Sequence, residues 1–212
     1  MLDFKTRVLP VVIIDNVAHA VPLAQALLAG GVDAIEITLR TSHGLAAMEA
    51  VARAVPGMCV GAGTLLEPAD FDRVKSAGAT FTVSPGYTPR LGVAAHASGL
   101  PWLPGIMTAA EAMMAREDGF KLLKLFPAVE AGGVAMLKAL ASPLADLKFC
   151  PTGGVSAANL KEFLALPNVA LVGGSWLAPS AALKSGDWAA VTKLAREASE
   201  ITAAAVAHSA TM

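Results

Sequence analysis

AIEITLRTSHGLAAMEAVARAVPGMCVGAGT, residues 34–64, begins and ends with a short apolar run that finishes in small or polar residues. The segment between the runs, GLAAMEAVARAV (44–55), is typical of a helix: Ser42 can cap its start, and Pro56 follows its end. The stretch therefore predicts a strand, a helix and a second strand. A connection of this length allows the two strands to pair in parallel.

The same unit recurs along the chain. Apolar, β-branched runs start roughly 20–25 residues apart, which leaves room for a loop and a helix of about 10–14 residues. Asn16 can cap the helix after the first run, and Thr108 with Glu111 has the spacing of a capping box. The eight runs are VLPVVII (8–14), AIEITLR (34–40), CVGAGT (59–64), TFTVSP (80–85), PWLPGI (101–106), KLLKLFP (121–127), KFCPTGG (148–154) and VALVGGSW (169–176).

Eight strands that alternate with helices predict an α/β protein, and most of the runs lack a polar face, which is typical of parallel strands covered by helices. The number of runs favours a single closed (β/α)8 TIM barrel over an open doubly wound sheet, and no GxGxxG follows the first strand. Because no linker or shift in composition divides the chain, we expect residues 1–212 to form one domain.

Composition excludes several classes of protein. The chain is 55% hydrophobic and 16% charged, so it is too apolar to be disordered. Its 16 basic and 17 acidic residues offer no electrostatic argument for nucleic acid or an anionic membrane as a partner. The excess of hydrophobic residues over a typical globular surface suggests that more than one face is covered, so we expect a homo-oligomer. No run approaches a membrane span, no signal peptide is recognisable, and we expect the protein to be cytoplasmic. Cys59 and Cys150 are most simply reduced core thiols, with a disulfide or a nucleophile as alternatives.

The second run carries the first candidate site residues. Glu36, Thr38 and Arg40 are two apart and therefore share one face of a strand, while Ile35, Ile37 and Leu39 share the other. If the apolar face packs under helices, three polar side chains point into the barrel. That arrangement is costly unless the side chains serve a ligand.

Lys124 is the second candidate, near the end of the sixth run and flanked by leucines and Phe126. An ammonium in such an apolar setting is costly, whereas a neutral lysine amine is the nucleophile that forms Schiff bases with carbonyl substrates. Lys121, at the start of the same run, is expected to be solvated. Glu36 in the same barrel is a possible proton shuttle for Lys124.

Glycine pairs follow the seventh and eighth runs, in Thr152-Gly153-Gly154 and Gly173-Gly174-Ser175. Glycines there let backbone N–H groups approach an oxyanion, and barrels commonly bind phosphate at these two loops. The alternative is that the pairs are plain turns.

No metal site is expected. The four histidines lack HxH or HExxH spacing, and His19 and His96 are expected on helices outside the barrel. The tryptophans, Trp176 included, are expected in the core or at an interface.

Taken together, several of these motifs resemble the 2-keto-3-deoxy-6-phosphogluconate (KDPG) aldolase family, many members of which also act as 4-hydroxy-2-oxoglutarate (KHG) aldolases. The likeness covers nearly the whole chain in the same order. Val129 is one departure and leaves the contacts of the loop after Lys124 open. The motifs are Glu36-x-Thr38-Leu39-Arg40-Thr41, Gly61-Ala62-Gly63-Thr64, Ser84-Pro85-Gly86, Lys124-Leu125-Phe126-Pro127-Ala128, Pro151-Thr152-Gly153-Gly154 and Gly173-Gly174-Ser175-Trp176.

The resemblance implies a homotrimeric class I aldolase of the Entner–Doudoroff route, without cofactor, that acts on a phosphorylated 2-keto acid and releases pyruvate. It also implies a role for each matching residue. These roles are Lys124 as the Schiff-base lysine, Glu36 as general acid/base, Arg40 and Thr64 on the substrate carboxylate, Thr152 and Phe126 near the reacting carbon and in stereocontrol, and Gly153, Gly154, Gly174 and Ser175 on the phosphate.

Two other functions are compatible with a phosphate-binding barrel. A phosphosugar epimerase or isomerase should show metal-binding histidines or paired acids at strand ends, which the sequence lacks. A non-catalytic phosphate-binding barrel would have no need for an inward Lys124.

The lack of metal-ligand spacing predicts aldolase activity that is independent of a metal ion. Turnover in excess EDTA should equal turnover in untreated buffer. Loss of turnover that zinc or magnesium restores would instead favour a metal-dependent site.

Overall fold

The computed structural model describes Leu2 and residues 5–209, with side chains up to Ala204, as short parallel strands that alternate with helices. Each of the eight predicted runs contains a strand. A 3₁₀ turn at Val17–His19 precedes the first α-helix. The strands are β1 (Val8–Val12), β2 (Ala34–Thr38), β3 (Cys59–Gly63), β4 (Phe81–Val83), β5 (Trp102–Leu103), β6 (Gly105–Ile106), β7 (Leu122–Leu125), β8 (Lys148–Pro151) and β9 (Val172–Gly174). The helices are α1 (Ala20–Ala29), α2 (Gly44–Ala54), α3 (Ala69–Ser76), α4 (Pro89–Ser98), α5 (Ala109–Glu117), α6 (Gly133–Ala141), α7 (Leu160–Leu164), α8 (Ser180–Ser185) and α9 (Trp188–Ser209).

The strands form two curled parallel sheets rather than one continuous eight-stranded ladder. The larger sheet has the order β5-β4-β3-β2-β1-β9, and the smaller has the order β6-β7-β8. The sheets separate at Pro104, which has no N–H to continue the ladder and divides the fifth run into β5 and β6. On the other side, single bridges pair Phe149 with Val169 and Thr152 with Gly173.

Inward and outward residues alternate along the strands as the second run predicts. Ile35 and Ile37 pack outward among the residues of the large core that the helices cover. Ala34, two residues before Glu36, belongs instead to a small inner cluster. The buried members of this cluster are Leu9, Ala34, Phe81, Val83, Leu103, Cys150 and Leu171.

Two of the three predicted helix starts are correct. The Asn16 side chain accepts a hydrogen bond from Ala18 N–H, and Thr108 with Glu111 forms a complete capping box. The prediction that Ser42 caps α2 is wrong. The helix begins at Gly44, and Thr41 organises the turn before it: its hydroxyl accepts from His43 N–H and donates to Ile14 C=O.

Gly61 on β3 faces the inner cluster and leaves room for the Phe81 ring. A Cβ at position 61 would lie 2.1–2.5 Å from three ring atoms of Phe81, which is fully buried. Neither group has space to retreat, because Phe81 is enclosed by the other strands. The absence of a side chain at position 61 is therefore a packing requirement.

Gly61→Ala should destabilise the fold by about 1–3 kcal/mol through overpacking, seen as a lower midpoint of urea unfolding. Gly86→Ala is the matched control, since a Cβ at position 86 meets nothing within 4 Å. The control should be neutral or more stable by up to about 1 kcal/mol. Equal stability of the two variants would show that the Phe81 ring can move aside.

Candidate active site

Two buried side chains of opposite charge meet inside the sheets. Lys124 on β7 and Glu36 on β2 are 3% and 1% exposed, and Lys124 Nζ donates to Glu36 Oε1 over 3.3 Å. The residues belong to different sheets and are 88 positions apart in the sequence. Gly63 makes room for the carboxylate, since a Cβ there would lie 2.2 Å from Glu36 Oε1.

The surroundings of Lys124 are mostly apolar. Leu123 and Leu125, its neighbours on β7, pack outward into the main core. Its Nζ lies 5.2 Å from the centre of the Phe126 ring, within the range of a cation–π contact. Cys150 is its register partner on β8 and is also buried. The amine is therefore largely buried and faces one carboxylate.

Lys121 is on the surface, as expected. Its side chain is 56% exposed and pairs with Asp146, which also binds Arg116. The two lysines of one strand run therefore have opposite environments.

Arg40 and Thr64 form a second pair, just beyond the ends of β2 and β3. Arg40 Nε donates to Thr64 Oγ1 over 3.1 Å, and the guanidinium is otherwise open to solvent. Thr64 has φ of 64°, a left-handed conformation that is uncommon for a residue with a side chain. The strain is typical of functional sites and places the hydroxyl beside Arg40.

Thr152 and the glycine pairs lie at the ends of β8 and β9. A Cβ on Gly173 would lie 2.2 Å from Thr152 Oγ1, so this glycine lets the threonine approach β9 closely. Gly153 and Gly154 have φ of 100° and 72°, where glycine is strongly favoured. Val129, the departure from the family motif, packs where a Cβ of Gly154 would be, and its N–H donates to Gly153 C=O.

A cavity of about 800 Å³ brings most of these groups together. Its walls include eight of the ten predicted site residues. Glu36 and Thr64 do not line the cavity themselves. Glu36 accepts a hydrogen bond from Lys124, and Thr64 accepts one from Arg40. The eight are Arg40, Lys124, Phe126, Thr152, Gly153, Gly154, Gly174 and Ser175.

Other wall residues were not expected in the site. His19, predicted on a helix outside the barrel, ends the 3₁₀ turn Val17–His19; its ring packs edge-on against Trp188, and the residue also lines the cavity. Trp176 also lines the cavity, with its ring in the space that a Cβ of Gly174 would need. Asp15, Asn16, Ser180 and Lys184 complete the polar wall, and no sequence motif marks them.

Within the described residues, no group of three or more His, Cys, Asp or Glu side chains could hold a metal ion. The side chain of His208 lies outside the described residues. None of the described helices is long and apolar enough to cross a membrane.

Comparison with known proteins identifies close relatives over nearly the whole chain. The family model for KDPG and KHG aldolase matches residues 4–194. The 2-dehydro-3-deoxy-phosphogluconate aldolase of Pseudomonas aeruginosa is 50% identical, over 92% of this chain and 89% of its own. The KHG/KDPG aldolase of Escherichia coli is 49% identical over 91% of each chain.

A solved structure has the same fold. The KDPG aldolase of Legionella pneumophila, with pyruvate captured at low pH as a covalent carbinolamine intermediate, superimposes with a TM-score of 0.90. It is 43% identical and covers 92% of this chain, which covers 94% of that structure.

Burial within the site raises the pKa of the Cys150 thiol to about 12. The group therefore stays protonated up to pH 10, and since the thiolate is the reactive form, Cys150 in the folded protein should resist iodoacetamide at pH 8. Peptide mass spectrometry should find Cys150 alkylated only after unfolding in urea. Half-buried Cys59, whose pKa is also raised by burial, should react first. Rapid labelling of Cys150 in the folded protein would contradict its enclosure.

Proposed function

Because the chain belongs to the KDPG and KHG aldolase family, we propose that it is a class I aldolase. Its reaction is the cleavage of 2-dehydro-3-deoxy-6-phosphogluconate to pyruvate and glyceraldehyde 3-phosphate. The same site also cleaves 4-hydroxy-2-oxoglutarate to pyruvate and glyoxylate. The observation that carries the proposal is the buried Lys124, which faces Glu36 at 3.3 Å on one side and the cavity on the other.

The first steps use Lys124 as nucleophile. Its neutral amine adds to the C2 ketone of the substrate, and the resulting carbinolamine loses water to form a protonated imine. Glu36 at 3.3 Å is close enough to take a proton from the lysine and to return it to the departing hydroxyl. The relative from Legionella pneumophila, captured as a pyruvate carbinolamine, supports this chemistry in the family.

Glu36 then serves the cleavage step. As the carboxylate removes the proton of the C4 hydroxyl, the C3–C4 electron pair flows into the imine, which leaves an enamine on Lys124 and releases glyceraldehyde 3-phosphate. The protonated Glu36 returns its proton to C3 of the enamine. Water then hydrolyses the pyruvate imine and frees the lysine, so atoms and charge balance over the cycle.

The ends of the substrate have separate binding groups. Arg40, held by Thr64, offers a guanidinium to the carboxylate. In this proposal Gly153, Gly154, Gly174 and Ser175 bind the phosphate, while Thr152 and Phe126 border the reacting carbons beside Lys124. β1 alone separates β2 from β9, so the strands that carry Arg40 and Gly174 are about 10 Å apart. That spacing suits an extended six-carbon chain with a terminal phosphate.

The assembly belongs to the same proposal. The two sheets together make one closed (β/α)8 barrel, in which the ladder is interrupted at Pro104 and is reduced to the single bridges Phe149–Val169 and Thr152–Gly173 on the other side. The chain forms one domain and assembles as a cytoplasmic homotrimer, in keeping with the family. Its chemistry needs no cofactor, because lysine itself supplies the electron sink.

Incubation with pyruvate and borohydride should add a reduced pyruvyl group at Lys124. Peptide mass spectrometry locates the adduct, and Lys121, on the same strand run but solvated and paired with Asp146, is the internal control. Lys124→Ala should abolish both the adduct and turnover. Labelling at another lysine, or none, would overturn the Schiff-base mechanism.

Glu36→Gln keeps the shape and a hydrogen bond to Lys124 but removes the acid/base group. Turnover of KDPG should fall by about 10²–10⁴, the usual contribution of general acid–base catalysis, while pyruvate is still trapped slowly on Lys124. The urea-unfolding midpoint shows whether the variant is folded. Activity within a few-fold of the parent would remove Glu36 from the mechanism.

A further inference from the structure

Helix α8 forms part of the cavity wall, although no motif marks it in the sequence. Pro179, Ser180, Leu183 and Lys184 all line the cavity. Ser180 and Lys184 are four residues apart and therefore lie on one face of the helix. The chain reaches α8 from Gly174 and Ser175 through a short loop, in which Ala178 N–H donates to Ser175 C=O. The helix is therefore attached to the proposed phosphate end of the site.

The positively charged side chains that line the cavity differ in their hydrogen-bond and ion-pair partners. Arg40 donates to Thr64, and Lys124 is paired with Glu36 and committed to the covalent step. Lys184 is exposed, and within the described residues it makes neither an ion pair nor a hydrogen bond. Asp15 is the one carboxylate among the wall residues. Lys184 is thus the wall cation available to a ligand at the β9 end.

The proposed phosphate groups lack a charge of their own. Gly153, Gly154 and Gly174 offer only neutral amides, and Ser175 adds a hydroxyl. A phosphate monoester carries up to two negative charges, and a lysine ammonium is a compact charge that suits it. We propose that Lys184 binds the substrate phosphate and is the residue that sets the preference for phosphorylated over unphosphorylated 2-keto acids. This inference rests on the proposed aldolase function and names the residue that makes the enzyme prefer a phosphorylated substrate.

The test compares Lys184→Ala, Lys184→Glu and Lys184→Arg with the parent on KDPG and on KHG, which has no phosphate. Lys184→Ala should lower kcat/KM for KDPG about tenfold, mainly through KM, and high ionic strength should reduce the difference. Lys184→Glu should lose more, and Lys184→Arg should stay close to the parent. Cleavage of KHG should change less than twofold in all three variants.

Lys138→Ala is the matched control, because Lys138 on α6 is an exposed lysine that does not line the cavity. It should leave both substrates unaffected. Equal losses on KDPG and KHG, or no loss on KDPG, would overturn the assignment of Lys184. If KHG turnover is too slow to measure, the rate of pyruvate trapping at Lys124 is the phosphate-free readout.

Binding of inorganic phosphate, followed by calorimetry, separates this inference from the aldolase proposal. It needs no turnover, and Lys184→Glu should weaken it at least tenfold while Lys138→Ala does not. A parent that binds phosphate through Lys184 but cleaves neither substrate would refute the aldolase and keep the phosphate site. Phosphate affinity that is the same in Lys184→Glu and the parent would refute the Lys184 site.

Discussion

The ion pair between Lys124 and Glu36 lies in a largely apolar interior, and much of the surrounding structure accommodates it. Removing two charges from water costs several kcal/mol per ion, which their attraction recovers only with good geometry. Gly63 leaves the space in which the Glu36 carboxylate reaches 3.3 Å from Lys124 Nζ. The inner apolar cluster closes the interior on the side of Ala34, and Lys124 lines the cavity.

Other glycines also leave space for a large side chain on a neighbouring strand. Gly61 admits the Phe81 ring and Gly173 admits Thr152, just as Gly63 admits Glu36. An interior enclosed by short curled strands is narrow, and each inward side chain of useful size requires a small neighbour. The three glycines therefore decide which functional and packing groups fit inside.

The cavity combines rigid and adaptable parts. Lys124 and Glu36 project from strands, so their mutual position is set by the sheets and the core around them. Arg40, Gly153, Gly154 and Lys184 lie on loops or on a short helix at the ends of the strands. Such a division suits the mechanism proposed above, in which the strand residues carry the covalent chemistry and the groups at the rim bind the ends of the substrate.

The periodicity of the sequence predicted the strands and the inward face that Glu36 and Thr38 share. Capping residues predicted two of the three helix starts. Alternation along a strand is local, and it needs no knowledge of neighbours. The prediction that Ser42 caps a helix failed, because a contact between Thr41 and Ile14, 27 residues away, organises that turn. The periodicity also could not anticipate the split of the fifth run into two sheets at Pro104.

The amino-acid sequence by itself determined which residues point inward and, through its motifs, which family the chain resembles. Only the tertiary structure decided that Glu36 and Lys124 touch across 88 residues, that Arg40 meets Thr64, and that His19 and Lys184 enter the cavity wall. The physical reason is that the pattern of polar and apolar residues specifies only which face of one strand or helix is buried. Distances between elements depend on strand register, on the curl of the sheets and on loop paths, which follow from the packing of the whole chain.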